Sequence, residues 1–278
     1  MLEGKNILGY TLVLSLLSLS YSNSAQAFNI TFDWNDFTYT AGSIDPVTYS
    51  DIQGSGIDLT IDVGGNTSGL VVGPAGNNSP SIDSGFTGGQ GTSEQSFSLG
   101  MNQSSASSVI TIDFSFSTPV SNVSFDIFDV DTAGDNNKTS DTSFVDLVQI
   151  IGELSGSSVT PTLTATNSNF VSVDSNNAFG LDAIAQNSAD ATVTTSFAQD
   201  IDYFQITYGN NTSFGRNNQQ LGTSNPGQQG IGIYDVQFTH EVPFKFSPAL
   251  GMLLVGVVVG GNELRKRHKM PNYTNSQK

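Results

Sequence analysis

Five aspartates stand within the seventeen residues FDIFDVDTAGDNNKTSD, Phe125 to Asp141, of a chain in which only 12% of residues are charged. In an extended strand, residues two apart share a face. Val123, Phe125, Ile127, Asp129 and Asp131 therefore line up, three apolar side chains leading to two carboxylates. Like charges at that spacing repel unless something neutralises them. The turn beyond adds Asp135, Asn136, Asn137 and Asp141 together with its own carbonyls. Ca²⁺ takes about six to eight oxygens of this mixture. The expected metal set is Asp129, Asp131, Asp135 and Asp141, with Ca²⁺ as the cofactor. The spacing is not that of an EF-hand: Ala133 and Ser140 occupy the fifth and twelfth positions of such a loop. A solvated turn, in which Asn and Asp side chains cap backbone amides, is the competing account.

Other chemistries are short of parts. There is no cysteine, and between Phe28 and Glu241 the one histidine is His240, at a strand end beside Glu241. Ser-His-Asp, Cys-His and zinc mechanisms lack their components. Glycoside hydrolysis needs only two carboxylates. Glu94, Glu153 and Glu241 are the body's glutamates, and none has an evident partner. The chain reads as a non-enzyme, with a polysaccharide-active enzyme as the weakest alternative. A carbohydrate-binding module, assisted by Ca²⁺, is the stronger one. Its stacking aromatics would come from Trp34, Tyr39, Tyr49, Phe86, Tyr203, Tyr208 and Phe214, each of which has core packing as its plainer explanation.

The elements that must position these residues read as strands. Apolar residues alternate in FNITFDW, in GIDLTIDVGG and in the runs 109–116, 120–130, 144–151, 192–197, 201–208 and 231–242. Gly, Asn, Asp and Pro separate them. That pattern predicts an all-β protein, an antiparallel β-sandwich of jelly-roll-like form. Gly64–Gly91, rich in Gly and Pro, reads as a long loop or flap, and Leu181–Ala191 as a short helix. Helical periodicity is otherwise confined to the two ends.

The N-terminus begins with a short polar stretch carrying Lys5, continues with an apolar run from Ile7 to Leu19, and ends in Ala25-Gln26-Ala27. That is the layout of a secretory signal helix over 1–27 with cleavage after Ala27. A body over 28–241 follows. The tail, 242–278, has an apolar segment at about 247–264 and then Arg265, Lys266, Arg267 and Lys269. It reads as a C-terminal membrane helix with its basic end in the cytoplasm. The body itself holds 23 acidic residues against Lys138 and Arg216, a charge near −21. Such a surface repels phosphate backbones, so no nucleic-acid partner is expected.

Val242-Pro243, a Gly-rich apolar segment and a terminal basic cluster resemble the PEP-CTERM class of bacterial sorting signals. The motif is similar to a Pro-Phe variant found in cyanobacterial surface proteins, with Val242, Pro243, Phe244, Ser247 and Pro248 as its residues. The resemblance implies handling by an exosortase-like sorting protease. A plain tail anchor is the other reading of the same residues. Phe114–Val120, Phe125–Asp131, Asp146–Gly152, Tyr208–Asn211 and Asn225–Ile233 further resemble the β-sandwich domains common in such exported proteins. The expected function is that of an exported cell-surface protein, structural or adhesive, associated with the membrane through its tail and with exopolysaccharide as its outside partner.

Overall fold

The computed structural model describes residues 26–103, 105, 107–132, 144–211 and 227–242. Ala25, the signal and tail helices, Pro243, Phe244, Ser247, Pro248, Asp135, Asp141 and Phe214 lie outside them.

Where every second residue is apolar, the chain forms strands with one face turned inward. In order these are β1 (Gln26–Phe32), β2 (Val47–Tyr49), β3 (Leu59–Gly65), β4 (Ser81–Asp83) and β5 (Ser96–Gln103). Next come β6 (Val109–Phe128), β7 (Asp146–Leu154), β8 (Ser157–Val159), β9 (Thr162–Ala165) and β10 (Val171–Asp174). The last are β11 (Asn177–Gly180), β12 (Val193–Ser196), β13 (Ile201–Asn210), β14 (Gly227–Ile233) and β15 (Val236–Val242). They join in one continuous antiparallel network. Among the described residues the only helices are short 3-10 turns, and none is long and apolar enough to cross a membrane.

The axis of the network is β6. Its first half pairs with β3 from Phe116 back to Ile110, and with β13, where Phe114 faces Phe204 and Ile112 faces Ile206. Its second half pairs with β12, β14 and β15 instead. The two strands expected over 109–116 and 120–130 are therefore one. Ser-Thr-Pro at 117–119 does not break it, because the β3 ladder ends at Phe116 and the β15 pairing begins at Ser121. Pro119 lies in the irregular stretch where the β13 pairing skips from Ser115 to Val120, and proline is tolerated at such bulges. Conversely, the single strand expected over 231–242 divides at Tyr234-Asp235 into β14 and β15.

Two further expectations change. Gly64–Gly91 is mostly loop, the first of its two readings, but it is tied down: Leu70 bridges to Met101, Val72 bridges to Asn78, and β4 pairs with β5. Asp83 explains part of this closure. Its carboxylate accepts from the Ser81, Ser98 and Asn77 side chains at 2.6, 2.7 and 3.1 Å, and from the Gly85 N–H at 2.8 Å. The short helix expected over Leu181–Ala191 shrinks to one 3-10 turn, Ala189–Ala191, with the Ser188 hydroxyl accepting from the Asp190 N–H.

One large hydrophobic cluster draws on both halves of β6. Phe204 stacks on Phe114 with centroids 4.4 Å apart and on Phe125 at 4.7 Å. Trp34, Phe97, Ile112 and Ile233 are all fully buried in the same cluster. Each such side chain contributes about 1.5–3 kcal/mol by leaving water. Ala27–Glu241 forms one compact unit, and its first and last strands, β1 and β15, pair with each other.

Candidate functional site

Alternation along β6 fails at its end. Ile127 and Phe128 are both buried, the strand stops there, and Asp129 takes a left-handed backbone with φ +64°. Aspartate tolerates that conformation better than most residues. The turn redirects the chain, so Asp129 and Asp131 do not simply continue the face of Phe125 and Ile127. The chain instead stays inside the fold. The Val130 N–H donates to the Ala191 carbonyl at 3.0 Å, and Thr132 bridges to Val145.

That bridge brings in a residue absent from the expected set. The Asp146 N–H donates to the Asp131 carbonyl at 2.9 Å, and the Asp131 N–H donates back to Asp146 Oδ2 at 3.2 Å. The Tyr208 hydroxyl donates to Asp146 Oδ1 at 2.6 Å. Asp146 and Tyr208 are fully buried, and Asp129 and Asp131 are each only 7% exposed. The approach is close: a Cβ at Gly180 would collide with the Asp131 backbone, so only glycine fits there.

Burial shapes the electrostatics. It pushes Asp129 up to about 8, and the Asp131 charge adds to the effect. It pushes Asp131 up to about 7, partly offset by the Ile184 N–H, which donates to Oδ2 at 3.0 Å; the Asp182 charge raises it further. Asp146 is held well above the carboxylate range by burial and by Asp131, against the pull of the Tyr208 hydrogen bond. Both carboxylates are withdrawn from bulk water, and Asp131 Oδ2 caps the Ile184 amide in the way the turn account expects.

Beside them opens a cavity of about 420 Å³, whose lining includes both aspartates, Phe86, Phe144, Gln186 and Gln229. Gln229 is 4% exposed, and neither its Oε1 nor its Nε2 has a hydrogen-bond partner. Asp129 Oδ1 has none either. Buried polar atoms are usually paired, so unpaired atoms around one cavity need a physical reason.

Of the expected metal set, the structure brings Asp129 and Asp131 together; Asp135 and Asp141 lie outside the described residues. Among the described residues no three acidic or histidine side chains form a ready metal-binding group. Asp146 has both oxygens engaged by Tyr208 and the Asp131 N–H. A signal for Asp146 was present in the sequence: it falls in phase with the inward Val148 and Ile150 of β7. Gln229 falls in phase with Ile231 and Ile233 of β14 in the same way.

The candidate sugar-stacking aromatics are mostly core. Trp34, Tyr49, Phe86 and Tyr208 are buried. Tyr39 and Tyr203 are half-buried, with hydroxyls donating to the Ser43 carbonyl at 2.6 Å and to Asp113 at 2.7 Å. Glu94 accepts from the Asn35 amide and the Tyr234 hydroxyl. Glu153 lies in the β7 ladder opposite Tyr203. His240 is half-buried and Glu241 exposed on β15. Val242 ends β15, and Ala27 lies exposed in β1. No protein-family model matches the chain, and no curated protein matches it.

Proposed function

We propose that the chain is an exported protein of the bacterial cell surface, held or sorted through its C-terminal tail, with a structural or adhesive body. The observation that carries this reading is the pairing of β1 with β15 in a body bordered by leader-like and tail-like sequence. A body that starts and finishes on adjacent strands can be carried on one stem, leaving its other surfaces open to the outside. Its acidity, close to −21 over 28–241, favours solubility and draws divalent cations rather than polyanions.

In this reading the network folds over itself as a jelly-roll-like sandwich. The contact supporting it is Phe125, from the second half of β6, stacked on Phe204, whose strand pairs with the first half. The buried polar side chains then act as architecture: Asp83 ties β4 to β5, and Asp146 ties β7 to β13. The body has no catalytic role. An exosortase-like protease acts on Val242, Pro243 and Phe244, and exopolysaccharide is the adhesive partner outside.

Protease shaving of intact cells tests the reading. The body should be digested from whole cells at the rate of known surface proteins. A body that resists until the cells are lysed would contradict it.

A further inference from the structure

We infer that Asp129, Asp131 and the side-chain oxygen of Gln229 form a divalent-cation site on the wall of the 420 Å³ cavity, with Ca²⁺ as the ion it fits. The inference is independent of where the protein resides.

Charge is the first ground. Two carboxylates, each 7% exposed, line the same cavity, and a third, the fully buried Asp146, accepts from the Asp131 N–H. The described residues include no Lys or Arg at all, so no described side chain supplies the compensating charge. Buried carboxylates are normally paired, bound to metal or protonated.

Gln229 is the second ground, and it is independent of the acidic pair. It reaches the cavity from β14, a different strand, is 4% exposed, and has an amide with no partner. A carboxamide oxygen added to two carboxylates, one of which has an idle Oδ1, gives an all-oxygen donor set. Hard cations take such sets, whereas zinc and copper favour nitrogen or sulfur. The cavity has room for several waters at about 30 Å³ each to complete a flexible coordination shell. Ca²⁺ accepts that arrangement, while Mg²⁺ demands a near-ideal octahedron.

The test uses the full chain, purified in detergent and stripped with chelator, at pH 7.5. Calcium is titrated calorimetrically, and Tb³⁺ luminescence follows occupancy of the same site. One saturable site is expected, with Mg²⁺ binding more weakly. Asp129→Asn with Asp131→Asn should lower Ca²⁺ affinity by about 100-fold or more, and Gln229→Leu by roughly 10-fold. Gln229→Glu should tighten binding, an outcome that also guards against a double variant that fails to fold. Asp58→Asn, at a half-buried carboxylate away from the cavity, should leave the affinity unchanged. Absence of a saturable site would overturn the inference. So would wild-type affinity in the Gln229 variants, or an equal loss in Asp58→Asn, which would mark diffuse attraction to an acidic surface.

Discussion

Phe125 and Phe204 stack with ring centroids 4.7 Å apart and planes 17° from parallel, although in the ladder Phe204 faces Phe114 and Phe125 faces Thr195 of β12. Phe204 also stacks on Phe114 at 4.4 Å, so one ring on β13 meets both halves of β6. Phe204→Ala removes the shared member. Truncating a buried Phe costs about 3–5 kcal/mol, which for a body of this size lowers the melting temperature by roughly 6–20 °C. Thermal denaturation followed by circular dichroism measures it. A shift of only a degree or two would mean that the two halves of β6 are not held through this ring.

The Tyr208 hydroxyl donates to Asp146 Oδ1 at 2.6 Å in a fully buried setting. Tyr208→Phe keeps the ring and deletes the bond. The stranded carboxyl should cost about 1–3 kcal/mol. Adding Asp146→Asn to Tyr208→Phe should recover part of that loss, because an amide carries no charge to desolvate. Additive losses in a double-mutant cycle would show that the two groups act separately.

Asp235 and Asp83 predict opposite pH dependences. Burial pushes Asp235 up to about 6, against the Trp34 N–H that donates to it, and the Asp33 and Glu94 charges push the same way. Between about pH 4 and 6 the folded state therefore holds a proton that the unfolded chain has lost. Asp235's stabilisation is present below this window and is lost as pH rises through it, by up to about 1.4 kcal/mol per pH unit. Asp235→Asn should flatten that part of the curve. For Asp83 burial acts upward but four hydrogen bonds prevail and lower it. Its stabilisation is present above the ordinary carboxylate range and is lost as pH falls below it. Asp83→Asn should therefore be most damaging at neutral pH and least damaging in acid. Urea denaturation across pH 3–8 reads both.

Calcium should also show itself in stability. An ion that binds only the folded state adds about 2.7 kcal/mol at a hundredfold excess over its dissociation constant. The melting temperature should rise with Ca²⁺ and return with EDTA. The Asp129→Asn, Asp131→Asn variant should be indifferent to both. Melting curves of the wild type that ignore calcium would count against the ion as a structural component.

Much of the β architecture was legible because alternation survives in Leu59–Val63, Val109–Phe116 and Ile201–Tyr208, where one face is buried. What escaped had physical reasons. β5 is buried at nearly every position and contains Ser96, Ser98 and Gly100, so neither polarity nor period marks it. Asp129 and Asp131 could be singled out by number and spacing, but the left-handed turn at Asp129 could not. Beyond that turn both aspartates stay inside, Asp131 bonded to Asp146 and both on the cavity that Gln229 also lines. Those two partners were visible only as polar residues in phase with inward apolar ones, on strands nearly twenty and a hundred residues away. No local pattern reports which strands will meet.

The central claim, a surface body held by its tail, is tested most directly by deleting Pro243–Lys278 and fractionating an expressing culture. The account predicts that the full chain stays with the cell envelope, and that the truncated body leaves for the medium with a mature N-terminus at or near Phe28. A truncated body retained in the membrane fraction, or one recovered from the cytoplasm with Met1 intact, would contradict it.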